Sequence, residues 1–225
     1  MTENKTEASN LLQGYLMMLY FSGSMIMFDP SKECIFDFWT KGMLKQLPVK
    51  SNNPDFIRAA AILRESTESP DNKYELLKED FFRLFSGAFR PLAPPYALAY
   101  TGEEKPLSEK RKEKLKDFYM KYKWESKFKN NIPCDHLGIE LLFISHLIEK
   151  YIITEKTEEK TNTGKDIISF IKVHLNPWLA RWVRDVNKNA LSKGYRGIAM
   201  LIKASLEDIY YIIDNQINTK NNHII

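Results

Sequence analysis

The chain has 225 residues, 44% of them hydrophobic and 12% aromatic, enough for one sizeable core and short for two full domains. Charged residues at 28% are ordinary for a globular protein and exclude a disordered or fibrous chain. The net charge of +4 is too small to mark a non-specific nucleic-acid binder.

Residues 11–28 (LLQGYLMMLYFSGSMIMF) are apolar and about as long as a short membrane span. Gln13, Gly14, Ser22, Gly23 and Ser24 interrupt them, and no basic region precedes them. They are read as a core helix, without stable membrane insertion. A second helix is expected from Ser31, a candidate cap, to the stop at Pro48. Pro54 suits the first turn of a third, over 55–68. Asp71 or Asn72 can cap a fourth running to Phe85.

Residues 87–102 (GAFRPLAPPYALAYTG) break the pattern, because Pro91, Pro94 and Pro95 exclude a continuous helix. This is an apolar loop that packs on the body or lines a groove. A basic amphipathic helix follows over 108–124, with Leu115, Phe118, Tyr119 and Tyr122 inward. The next, over 135–153, is apolar almost all round and belongs at the centre of a bundle. Residues 154–165 (TEKTEEKTNTGK) carry no apolar side chain and are expected to form a mobile polar loop. A helix over 166–174 follows, then one capped by Asn176 with Pro177 at its start. The last helix is expected over 194–217, with a frayed tail over 218–225. The pattern predicts an all-α, single-domain bundle of residues 1–225, with roughly eight to ten helices.

Cys34 and Cys134 match no zinc or redox spacing and read as reduced thiols. No Walker loop, dinucleotide fingerprint, zinc helix or nucleophile elbow is present, so no cofactor is expected. Three clusters remain. In IPCDHLGIEL, Asp135 and His136 enter the central helix and Glu140 shares a face with His136. Asp135 can serve simply as the helix cap with Glu140 paired to a cation. Alternatively the cluster holds a cationic ligand, or a metal together with His146 or His174, as a metal-dependent hydrolase would. The stretch from Phe82 to Gly87 with Tyr96 and Tyr100 can form either a core corner or an aromatic trough. Residues 105–129 hold ten Lys/Arg against four acids. That run reads as a solvated helix face or, as an alternative, a nucleic-acid contact.

The runs RLFSGAFRPLAPPY, IPCDHLGIELLFISHL and FIKVHLNPWLARWVRDV, in this order, resemble the TorD/DmsD/NarJ-type redox-enzyme maturation chaperones. Members carry a similar Leu-Phe-x-Gly stretch before a proline-rich aromatic turn, then a Pro-x-Asp-His motif opening a helix. The resemblance implies an all-helical cytoplasmic chaperone without enzymatic activity, monomeric or homodimeric. Its implied partners are the twin-arginine leader and the body of a molybdenum-cofactor enzyme precursor, held until cofactor insertion and export. It carries leader contact onto Pro133, Asp135, His136 and Tyr96, with Leu84, Phe85 and Gly87 as further contacts. In chemical terms, Asp135 and Glu140 would accept the guanidinium groups. His136 would have to stay neutral, so binding should weaken below about pH 6.

Overall fold

Apolar side chains at steps of three and four dictate helices, and the computed structural model contains them almost throughout. It describes residues 2–68, 73–87, 90–102, 104–129 and 131–221. In chain order the helices are α1 (Thr2–Met27), α2 (Lys32–Ile35), α3 (Pro54–Glu68), α4 (Lys73–Phe81) and α5 (Leu98–Thr101). They continue with α6 (Lys105–Lys121), α7 (Leu137–Ile153), α8 (Thr157–Phe170), α9 (Asn176–Asn189) and α10 (Lys193–Asn221). No strand is named among the described residues; an isolated bridge pairs Tyr96 with His136. The all-α expectation holds.

α7 is the central element, buried nearly all round from Leu137 to Ile148. α1 packs along α7 and α10, and α10 also packs on α3, α8 and α9. The approach of α1 to α7 depends on Gly138: a β-carbon there would lie 2.9 Å from the Gly23 carbonyl oxygen and collide with Met27. No described helix is long and apolar enough to cross a membrane. Leu12, Leu19 and Ile26 of α1 are buried in the core instead.

Carboxylates tie distant elements together. Asp208 on α10 accepts from the Tyr15 hydroxyl at 2.6 Å, the Ser51 hydroxyl at 2.7 Å and the Asn53 amide at 2.9 Å. Asp80, fully buried on α4, accepts the backbone N–H groups of Leu191 and Ser192 at 2.9 and 2.6 Å. That fixes the entry to α10.

Three π-helical turns interrupt the helices, at Phe36–Thr40, Phe82–Ser86 and Ile171–Leu175. The second ends α4 and launches the proline loop. Within it the Arg83 and Leu84 carbonyls accept from Leu92 and Ala93, each at 2.9 Å, pinning the loop to the body.

The expected loop over 154–165 is corrected: α8 begins at Thr157. Glu158 and Glu159 lie in its first turn, where the helix dipole favours negative charge. Thr163 and Gly164 are buried against α7 and α10, with no room for a β-carbon at Gly164 between Tyr151 and Ile217. Small residues continue towards the N-terminus the buried face that Ile167 and Phe170 begin, so this part of the helix carries no apolar side chain. In the expected tail, residues 218–221 extend α10, while 222–225 lie outside the described residues. Asp71 and Asn72, the expected caps of α4, also lie outside them.

Candidate functional site

The proline loop and the turn before α7 meet in one corner. The Leu137 N–H donates to the Pro95 carbonyl at 2.9 Å, and the Tyr96 and His136 rings stand edge to face at 5.2 Å. The Tyr119 hydroxyl on α6 donates to the Cys134 carbonyl at 2.9 Å, holding the turn from the other side.

The cap of α7 is His136, which corrects the expectation of Asp135. Its backbone is extended, and Nδ1 accepts the Gly138 N–H at 3.0 Å. That bond requires an unprotonated Nδ1. Burial also disfavours the charged ring and holds its pKa down at about 4. The expected loss of binding near pH 6 through His136 is therefore withdrawn.

Relieved of capping, Asp135 is partly buried, its side chain 15% exposed. Its carboxylate meets the Lys112 ammonium of α6 at 3.2 Å. Glu140 is placed differently: it is 1% exposed, and its Oε2 has no hydrogen-bond partner. Burial holds its carboxyl well above the usual range, against the opposing pull of Arg111. Glu140 is thus not a surface acceptor. It lines, with Asp135, Lys112, Arg111, Leu98 and His174, a cavity of about 10 Å³, the space of one water. The π turn at Ile171–Leu175 brings His174 there, and its carbonyl accepts from Arg111 at 3.4 Å and from Trp178 at 2.7 Å.

The other side of the turn opens differently. A hollow of about 270 Å³ is lined mainly by Tyr119, Met120, Trp124, Ile132, Cys134 and Ile139, with Lys116, Glu125 and Lys129 at its edge. Met120 is 66% exposed, and Trp124 is half-buried against the Phe143 ring at 5.2 Å. Lys123, at φ 48°, reverses the chain after α6 and so places Trp124 there. Asp135 lines the small cavity, and its neighbour Cys134 lines this hollow.

Of the residues expected at the site, Pro133 is exposed and Tyr96 half-buried, both in this corner. Leu84 and Phe85 are instead core residues, with Phe85 stacked on Trp182 at 6.1 Å. The π turn rotates them inward and does not present them as a trough. Gly87 is half-buried at the start of the loop. Sequence reasoning passed over Lys112, Met120 and Ile132. For Met120 and Trp124 the available signal was a large apolar side chain next to the polar end of a basic helix.

No group of three or more His, Cys, Asp or Glu is placed to hold a metal among the described residues. Asp135, His136, Glu140 and a further histidine therefore do not form the cluster that the hydrolase alternative required. Three cations of the basic run are held in ion pairs, Lys112 with Asp135, Lys121 with Asp166 at 2.6 Å and Lys129 with Glu125 at 2.6 Å.

A sequence model of the nitrate reductase delta subunit family matches residues 50–184, more than half of the chain. Chaperone protein TorD of Aliivibrio salmonicida (strain LFI1238) is 31% identical over 122 residues, covering 53% of this chain and 55% of that protein. Chaperone protein TorD of Aliivibrio fischeri (strain ATCC 700601 / ES114) is 29% identical over 106 residues, covering 47% and 49%. The chain spans about half the length of the curated relatives it matches.

Proposed function

We propose that this chain, which belongs to the nitrate reductase delta subunit family, is a chaperone that holds the twin-arginine leader of a redox-enzyme precursor, as its resemblance to TorD chaperones suggests. It binds the leader in the cytoplasm until cofactor insertion, and releases it for export without altering it covalently. The client is a molybdenum-cofactor enzyme, and its folded body makes further contacts.

The observation that carries this reading is Asp135: a partly buried carboxylate, its side chain 15% exposed, in the turn whose preceding residue, Cys134, lines an apolar hollow of about 270 Å³. A twin-arginine leader has the complementary order, guanidinium groups followed by an apolar stretch. Asp135 receives a guanidinium through charge-assisted hydrogen bonds. The apolar stretch lies over Met120, Trp124 and Ile132. Pro133 and Tyr96 shape the corner, and His136 orients it as cap of α7. Affinity near micromolar, about 8 kcal/mol, suits reversible holding.

Calorimetry of the full chain with twin-arginine leader peptides tests this. Binding should weaken by about tenfold or more when both arginines become lysine, because the planar fork is lost. Equal affinity for the lysine peptide, or no heat with any leader, refutes the reading.

A further inference from the structure

The carboxylate at the rim of this corner is already occupied by a cation of the protein itself. Lys112 reaches it from α6 at 3.2 Å, and its side chain is only 32% exposed. Behind it, the Glu140 Oε2 is buried in the same cavity without a hydrogen-bond partner. Buried polar atoms are nearly always paired, so an orphaned oxygen lining a cavity marks a place built for a donor.

We propose that this cavity is an exchange site for a single cationic side chain of the partner, in which an incoming guanidinium displaces Lys112 from Asp135 and offers a further N–H donor to Glu140. This rests on the holding function above and adds its regulation: Lys112 is a resident competitor that sets the affinity.

Charge argues for exchange over simple insertion. Arg111 and Lys112 already line the cavity, and burial keeps Glu140 toward its neutral form. Insertion would add a further cation to that lining. Exchange leaves the local charge unchanged, and Lys112, at the surface, is free to swing into water. Space argues the same way. A cavity of about 10 Å³ admits a water but no guanidinium until the lysine leaves. The exchange also favours arginine. An ammonium is a compact point charge, whereas a guanidinium presents five donors in a plane.

The test is calorimetry of a synthetic twin-arginine leader peptide against the wild-type chain, Lys112→Met, Asp135→Asn and the double variant, each checked for folding by circular dichroism. Removing the competitor should tighten binding about two- to fivefold, the range of a partly exposed ion pair. Asp135→Asn should weaken binding, and adding Lys112→Met to it should bring no gain. Lys112→Gln should tighten binding in the same direction, which guards against a folding defect of the methionine variant. Unchanged or weaker binding by both Lys112 variants, with Asp135→Asn still impaired, overturns the exchange and leaves the holding function standing. Absence of binding by every variant and by the wild type overturns both.

Discussion

Replacing His136 by asparagine should remove a defined part of the protein's acid sensitivity. Asparagine retains an oxygen able to accept the Gly138 N–H, so the cap survives while the titrating ring does not. In the folded chain His136 titrates at about 4 against an ordinary value of 6.5, and burial is the cause. An unfolded chain therefore binds this proton below pH 6.5, while the folded chain refuses it until about 4. The stability from keeping the ring neutral is complete above 6.5 and is lost as pH falls toward 4. At about 1.4 kcal/mol for each tenfold change in proton affinity, the whole window is worth about 3 kcal/mol. Urea unfolding of both proteins between pH 4 and 7.5 measures it. At pH 7.5 the variant should be the less stable, having lost the edge contact with Tyr96, worth about 0.5–1.5 kcal/mol. That deficit should shrink with acid and reverse by pH 4. His174, also held at about 4 by burial, is common to both proteins and cancels in the difference. A difference that stays constant across the range refutes the assignment of His136 as a buried neutral cap.

Glu140→Gln should act with the opposite sign. The raised pKa of Glu140 lends stability that is full below its ordinary value of 4.5 and lost as pH rises through the folded value. The variant's advantage over wild type in denaturant melts should therefore grow above pH 4.5, by up to about 1.4 kcal/mol per pH unit. Gly138→Ala should cost about 1–3 kcal/mol in the same assay, because the new methyl group meets the Gly23 carbonyl and Met27. Met120→Asp should leave stability within about 0.5 kcal/mol, since the side chain is 66% exposed. It should nevertheless weaken leader binding several-fold in fluorescence titration if the apolar hollow receives the leader; unchanged affinity would place the apolar stretch elsewhere.

Much of the fold was legible because spacing alone reports which face of a helix is apolar. Ile198, Leu201, Ile202, Leu206, Ile209, Ile212 and Ile213 mark the apolar stripe of α10, and all but the half-buried Ile212 are buried. The first two turns of α8 escaped because Thr163 and Gly164 pack there, and a rule seeking apolar side chains cannot see packing through small ones. The site was half legible. Asp135, His136 and Tyr96 do meet, but the cap of α7 expected at Asp135 is taken by its neighbour His136; a histidine ring nitrogen is not an expected cap acceptor. Glu140 was misjudged although the information was present. A helix apolar on every side has no solvent face, so a carboxyl in its first turn must be buried with the rest. Leu84 and Phe85 are buried, as the core-corner reading had it; their role as contacts came from the resemblance, which does not report burial. Lys112 could not be found, since its pairing with Asp135 depends on how α6 lies against the turn.

The bridge between Tyr96 and His136, with the Leu137 N–H bonded to the Pro95 carbonyl, couples two segments that the sequence keeps far apart. Neither can hinge independently without breaking that bond. In the holding function proposed above, recognition would accordingly be that of a preset mould: a guest would have to match the spacing between ring and acid as it finds it. Evolution toward a new guest would then proceed by exchanging side chains along the walls, with the two backbones soldered in place.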